Sequence, residues 1–396
     1  MASALLALAL GIGVAGCGKS GNSVGLEETQ ELNAAAPVAS QGAAGQITRN
    51  TARLGGAEPI VDAAAVATAA HPGLSPSSRP EAVVLASAAP QEWPSALAAS
   101  ALAGAPLFAP LIYGEAHALP TPSSEALAEM RPKGAAAIDG AQVLEVGVVA
   151  TPAGYSARRL AGSDPYTFAD SIEALVQSVH GAPPSQVIVV NAQGPPPFAM
   201  PAAELAAETG APILLVESAR VPVVTANVLR ELKRPTIYAI GPTTAISETV
   251  AKELEGFGAV KRIAGPTPVE NAIAVSSFSE GSFGFGVQGP GHGLVFANGG
   301  RPQDAAAAAS LAATGDFGPL LLLEEANAVP PALSHYLENI VGAYNSQVPP
   351  AKSLYNHGWI IGGGRAISAA TQADLDALLE IVPRNNPTPT PEISPP

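Results

Sequence analysis

The sequence predicts an α/β fold of three tandem Rossmann-like repeats, each a small parallel sheet with helices on both faces, and three observations predict it. Arg53-Leu-Gly-Gly56, Arg159-Leu-Ala-Gly162 and Arg262-Ile-Ala-Gly265 share one pattern and stand 106 and 103 residues apart. Each copy is followed by the same alternation of helical and strand-like stretches. A chain of 396 residues with 47% hydrophobic content has room for about three units of ~100–150 residues.

Self-similarity at a fixed period outranks any single local motif. After each motif comes a helical stretch, at 60–70, 167–179 and 269–278. A short apolar or β-branched run follows, at 82–86, 187–190 and 294–297, and reads as a buried strand. Next are an Ala-rich helix (95–104, 202–209, 304–313) and a second strand entered through Pro (106–108, 212–216, 319–323). A third helix (123–130, 223–232, 332–341) leads to a third strand (135–138, 236–240, 359–361). Buried strands separated by helices mean a parallel sheet covered on both faces. The expected units are 51–157, 158–261 and 262–383.

Composition narrows the partners. Charged residues make up 13% of the chain, with 40 Gly and 39 Pro, so the surface is small, neutral and turn-rich. A formal charge of −14 with 19 Lys and Arg spread along the chain argues against nucleic acid, whose binding relies on cations neutralising phosphates.

The single cysteine, Cys17, excludes an intrachain disulfide and a Cys-based zinc cluster. From Ala2 to Gly16 the chain is apolar and uncharged, short for a membrane span and suited to a signal-peptide core. It ends Val14-Ala-Gly-Cys17, which resembles a bacterial lipobox, so residues 1–16 are expected to be removed and Cys17 lipidated. No Lys or Arg precedes the apolar run, a departure from the usual signal peptide. The same stretch matches the phosphate-cradling G-x-x-x-x-G-K-[ST] pattern at Gly13 to Ser20. That mechanism needs a strand before and a helix after, and Gly21-Asn-Ser-Val-Gly25 is poorly suited to starting a helix. Residues 17–50 read as a flexible tether and 384–396 as a Pro-rich, extended tail.

The three motifs, the Pro-entered Ile213-Leu-Leu215 and Leu320-Leu-Leu322 strands and the endings Ile240-Gly-Pro and Ile361-Gly-Gly resemble the cell wall binding repeat 2 family over residues 51–382. The resemblance implies three repeats packed with pseudo-threefold symmetry. It also implies non-covalent attachment to an anionic secondary cell-wall polymer or a peptidoglycan-linked glycan. With Cys17, that places the chain at the outer face of the cell membrane, lipid-anchored and facing the wall, with other exported proteins as possible further partners. The family's basic residue after the first motif is Pro in every copy here (Pro59, Pro165, Pro268), and its helix-starting Asp persists as Asp304, with Ser95 and Phe198 in the other repeats.

Candidate ligand contacts follow from recurrence. Arg53, Arg159 and Arg262 could grip phosphate or carboxylate, or pair structurally with neighbouring carbonyls and carboxylates. Ser87, Asn191 and Asn298 end the first strand of each repeat, at the carboxyl edge where open α/β sheets bind ligands. Turns at Gly241, Thr243 and Thr244, and at Gly363, Gly364 and Arg365, place backbone N–H groups at a helix start, while glycine there also simply permits the turn. Arg301 and Asp304 open the Ala-rich helix of the third repeat, and Trp93 could stack on a sugar or act as an anchor. Gly284-Phe-Gly-Val-Gln-Gly289 matches G-x-G-x-x-G but precedes a strand, so it reads as a loop.

The literal G-x-S-x-G at Gly21 to Gly25 falls in the small, polar stretch read as a tether, and no H-E-x-x-H spacing or carboxylate pair common to all repeats is present, so catalytic residues and metal ligands are not expected. No cofactor is expected; a calcium ion bridging acidic protein to anionic wall has no motif behind it. A solute-binding lipoprotein of a transporter is the competing reading and predicts two hinged lobes; a wall hydrolase-associated protein ranks last.

Overall fold

A computed structural model of the chain describes residues 46–313 and 318–384. Cys17, the expected signal segment, most of the expected tether and the Pro-rich tail beyond Arg384 lie outside the described residues.

The first part of the fold runs β1 (Thr51–Leu54), α1 (Pro59–Ala70), β2 (Val83–Ser87), α2 (Trp93–Ala99), β3 (Leu111–Gly114), α3 (Thr121–Met130), β4 (Val143–Val146) and β5 (Ala157–Arg159). The second runs α4 (Pro165–His180), β6 (Gln186–Asn191), α5 (Pro196–Ala199), α6 (Ala202–Thr209), β7 (Ile213–Val216), α7 (Val223–Glu231), β8 (Thr236–Ile240), α8 (Glu248–Glu255) and β9 (Ala259–Ile263). The third holds α9 (Pro268–Ser277), β10 (Gly293–Asn298), α10 (Pro302–Ala312), β11 (Leu320–Leu323), α11 (Pro331–Ile340), β12 (Ala343–Tyr344), β13 (His357–Ile361), α12 (Ala369–Leu378) and β14 (Val382–Pro383). Pro at the first turn of α1, α4 and α9 has no N–H to leave unpaired there, and Asp164 and Thr267 cap their helices by accepting backbone N–H bonds.

Three four-stranded parallel sheets result, in the orders β3-β2-β4-β5, β7-β6-β8-β9 and β1-β13-β10-β11. The motif strands therefore do not belong to the repeats they open. β5 completes the first sheet and β9 the second, whereas β1 crosses the whole chain to pair with β13, Arg53 opposite Ile360. The helix after each motif strand packs on the next sheet instead, α1 on β3, α4 on β7 and α9 on β11. The sheets thus shift each expected unit boundary to just past the motif. The expected tether also ends early: Asn50 is buried, and its side chain donates to Asp376 O and Glu380 Oε2.

Two strands of the first repeat lie elsewhere than the sequence predicts. The expected strand at 135–138 is a 3-10 turn at Ala136–Ile138 between the left-handed Gly134 and Gly140, and the strand is the β-branched Val143–Val146. The second strand starts after Pro110, not Pro106. Pro110 O accepts from Val84 N at 2.9 Å, as Pro212 O accepts from Ile188 N and Pro319 O from Val295 N. A proline with no N–H to offer can still take this last ladder position through its carbonyl.

The Ala-rich helices α2 with its 3-10 extension Ser100–Ala103, α6 and α10 pack on one another where the three units meet. Their small side chains are almost wholly buried, which lets backbones approach closely: a Cβ on Gly104 would lie 2.4 Å from Ala207 O. Leu102, Leu205 and Leu311 occupy equivalent places in this hub, each buried. Just before the second stands Glu204, fully buried, with neither carboxyl oxygen hydrogen-bonded to another described residue. Burial holds its carboxyl well above the usual carboxylate range, favouring the neutral acid over the carboxylate. Among the described residues no helix is long and apolar enough to cross a membrane.

Because burial raises the folded-state pKa of Glu204 above its unfolded value, Glu204 costs stability increasingly as pH rises past the unfolded carboxylate range. Glu204→Met, of similar volume, is expected to stabilise the chain by about 1–4 kcal/mol at pH 8, by analogy with replacing buried charge by apolar groups. Thermal melts across pH 4–9 check it, and the gain is expected to shrink toward pH 4.

Candidate functional site

In every sheet the first strand of the unit (β2, β6 or β10) lies inside, with the second strand on one side and the third on the other. Connections diverge at its carboxyl end, the position where open α/β sheets form ligand crevices. In two units an asparagine bridges that crevice. Asn191 Nδ2 donates to Ala245 O at 2.7 Å while its Oδ1 accepts from Gln193 N; Asn298 Nδ2 donates to Ala366 O at 2.9 Å while its Oδ1 accepts from Gly300 N. In the first unit Ser87 keeps only the local bond, from Ala89 N, and does not reach across. There the crevice is an open cleft of about 410 Å³. The first unit also has no helix between its third strand and β5, where the others carry α8 and α12.

The turn after the third strand needs glycine. Gly147, Gly241 and Gly362 all have φ between 85° and 117°, a region that side chains disfavour. Beyond Gly241 and Gly362 the tips Thr243, Thr244, Gly364 and Arg365 are exposed, Gly363 is half-buried, and Ser247 and Ser368 cap the helices that follow. Among the described residues Arg365 has no ion-pair or side-chain hydrogen-bond partner. Gly363 N donates to Gly56 O across the unit boundary.

The motif arginines hold these turns in place. Arg53 Nη1 donates to Gly362 O at 2.6 Å and Nε to Gln372 Oε1; Arg262 Nη1 donates to Gly241 O at 2.9 Å. Arg159 has the equivalent position but donates to Val149 O and to Glu145 Oε2 at 2.8 Å, beside a buried carboxylate. Burial lowers Arg53 to about 10 against the pull of Asp62, leaving it charged at neutral pH. Of the two roles open in the sequence, these bonds fill the structural one, and each arginine sits in its own sheet, on that sheet's outermost strand.

Arg301 and Asp304 are drawn into a junction that the sequence reading missed. Arg301 Nε donates to Asp304 Oδ2 at 2.6 Å, Nη1 donates to Ala57 O and Nη2 pairs with Asp62 of the first unit. Both aspartates are fully buried. Burial, then the charge of Asp304, holds Asp62 well above the usual carboxylate range, with Arg301 opposing; burial likewise raises Asp304. The fourth residue of the first helix closes on the motif glycine in every unit. Asp62 accepts from Gly56 N, Asn271 accepts from Gly265 N and donates to Phe198 O, and Phe168 packs against Gly162. Asp304 and Phe198 thus hold matching junction positions with different chemistry. Trp93 starts α2 with its ring against the main core and does not line the cleft.

The model of the family described as Cell wall binding domain 2 (CWB2) matches residues 159–251 and 262–372, just over half of the chain. The chain belongs to this family. The matched spans coincide with the second and third CWB2 units; the divergent first unit lies outside them. Two solved structures are similar in fold: Cwp6 from Clostridium difficile, with 17% identity, a TM-score of 0.62, 81% of this chain and 47% of that one covered; and Cwp8 from Clostridium difficile, with 19% identity, a TM-score of 0.62, 84% of this chain and 52% of that one covered. The chain spans about half the length of each. No curated protein sequence matches it. CWB2 membership makes this a cell-wall-associated surface protein, extracytoplasmic in location. Among the described residues no group of three or more His, Cys, Asp or Glu side chains is arranged to hold a metal ion.

Removing Arg301 leaves two buried aspartates facing each other without their cation. Arg301→Ala is expected to destabilise the chain by about 3–5 kcal/mol, the usual cost of stripping one partner from a buried pair, measured by denaturant unfolding at pH 7.

Proposed function

We propose that this chain is a non-enzymatic, lipid-anchored surface protein that holds an anionic cell-wall polymer non-covalently at the carboxyl edges of its CWB2 units. The observation that carries the reading is the pair of asparagine-tied turns in the second and third units, which present Thr243, Thr244, Gly364 and the unpaired Arg365 to solvent. Hydroxyls, backbone N–H groups and a guanidinium suit phosphate or carboxylate oxygens. Membership of the CWB2 family supports the class of ligand, and the lipobox-like Val14-Ala-Gly-Cys17 supports the membrane tether. Three units joined through one hub of helices count against the two-lobed solute-binding alternative.

With a formal charge of −14, each edge binds weakly and the useful grip comes from edges engaged together. Calcium bridging protein to polymer would offset the acidic balance.

The unacylated protein is expected to co-sediment with purified cell walls, to lose binding when the walls are acid-extracted of their secondary polymers, and to bind more tightly with calcium present. A Thr243→Ala, Thr244→Ala, Arg365→Ala variant is expected to bind at least about tenfold more weakly, the loss of a few charge-assisted hydrogen bonds. Binding that survives extraction, or no binding at all, contradicts the reading.

A further inference from the structure

The third unit enlarges one connection. Between α11 and β13 the chain runs through residues 341–356, where the matching connections are 131–142 in the first unit and 232–235 in the second. The enlarged segment is built into the fold. Asn356 is fully buried, donating to Ile340 O at 2.9 Å and accepting from Gly291 N and His292 N. Ser353 Oγ donates to Ala343 O, and β12 inside the segment pairs with β14 at the end of the fold. A Cβ on Gly342 would lie 1.9 Å from Leu354 O and 3.0 Å from the Ile381 side chain, so the backbone of Leu354 is pressed against the base of both strands.

This frame holds apolar side chains out. Val348, Leu354, Tyr355 and Val382 are exposed, Leu354 at 63% and Tyr355 at 62%, and they are four of the nine large apolar side chains exposed among the described residues. Single exposed apolar residues are ordinary, whereas a group of them on one small structure marks an interaction surface. Cations flank the group. Lys352 and Arg384 are exposed and have no ion-pair partner among the described residues, and Arg49 stays largely exposed while it reaches Glu380 at 3.0 Å.

Position decides what covers this face. The chain from Cys17 enters the fold here: Gly358, just past Tyr355, donates its N–H to Asn50 O, and Glu380, the partner of Arg49, stands just before Val382. β1 and β13 both start at this end. The face therefore lies at the amino edge of the third sheet, and the edge carrying Asn298 and Arg365 lies at the other end of the same strands.

We infer that this face rests on the outer surface of a membrane containing anionic phospholipid. Leucine, valine and tyrosine side chains suit the boundary between headgroups and acyl chains, and the flanking cations suit anionic headgroups. The local cations matter because a chain with a formal charge of −14 is otherwise repelled by such a surface. This orientation rests on the lipid-anchored reading above: a lipid on Cys17 fixes where the chain is held, and the face fixes which way the third unit points, its carboxyl edge outward to the wall.

The test is co-sedimentation of the unacylated protein with vesicles of phosphatidylcholine alone, or of three parts phosphatidylcholine to one part phosphatidylglycerol. Binding to the mixed vesicles is expected to be at least about tenfold tighter. Leu354→Ser with Tyr355→Ser, and separately Lys352→Glu with Arg384→Glu, are each expected to weaken it at least about tenfold, while melting like the parent and leaving wall co-sedimentation unchanged. No binding to the mixed vesicles, equal binding to both, or undiminished binding of either variant overturns the inference. So does a dimer in solution that the Leu354 and Tyr355 variant abolishes, or vesicle binding that appears only when residues 385–396 are removed; these assign the face to a second copy or to the tail. Failure of the anchor shows separately, as an unmodified Cys17 in the intact mass of protein extracted from membranes.

Discussion

The strand of each Arg-x-x-Gly motif is hydrogen-bonded into the sheet of one unit while the helix that follows it packs on the sheet of the next. Every junction in the molecule is made by that step, and the last of them closes a ring. β1 finds β13 some three hundred residues along the chain, so the third sheet is complete only when the two ends of the folded region meet. Closing so long a loop costs conformational entropy that grows slowly with length, and it is offset by the ladder itself, the buried Arg53 and the Asn50 contacts with α12. The arginine matters because it ties the swapped strand to the turn beyond its neighbour, the same turn that shapes the carboxyl edge.

Pseudo-symmetry holds at the backbone and breaks at the side chains. At the three junctions one position is Asp62, Phe168 or Asn271, and each meets its partner by a different force: a buried ion cluster, apolar packing and a neutral hydrogen bond. The same relaxation marks the first unit's edge, where Ser87 does not bridge to a carbonyl as Asn191 and Asn298 do and no helix follows the third strand. A fold held by its hub of alanines and leucines tolerates such divergence because the helices meet there through small side chains and not through the edges.

Much of the architecture was legible in the sequence. The Leu- and Val-rich runs at 187–190, 212–216, 294–297 and 319–323 and the Ala-rich helices lie where periodicity puts them, because continuous apolar runs between turn residues have few other ways to be buried. The first repeat misled for a local reason: Ala135 to Ile138 offered apolar residues but little β preference, and Pro106 stood near the expected strand while Pro110 held the ladder position. Sheet membership was not legible, since the motif strand reads the same whichever neighbour it joins. Nor was the Asp62–Arg301–Asp304 cluster, since Asp62 lies 239 positions from the local Arg301–Asp304 pair. At the candidate site, recurrence singled out Asn191 and Asn298, which the structure places at the carboxyl edges bonded to Ala245 O and Ala366 O, but the sequence could not distinguish an asparagine spent on a carbonyl from one open to a ligand.

Ring closure by β1 is the feature on which the rest depends, and native-state hydrogen exchange of the full chain tests it most directly. Amides of residues 51–54 are expected to exchange as slowly as those of 357–361, and both only through the same global opening that releases β6 and β8. Rapid exchange of 51–54 alongside protected 357–361 would contradict the closed three-unit ring.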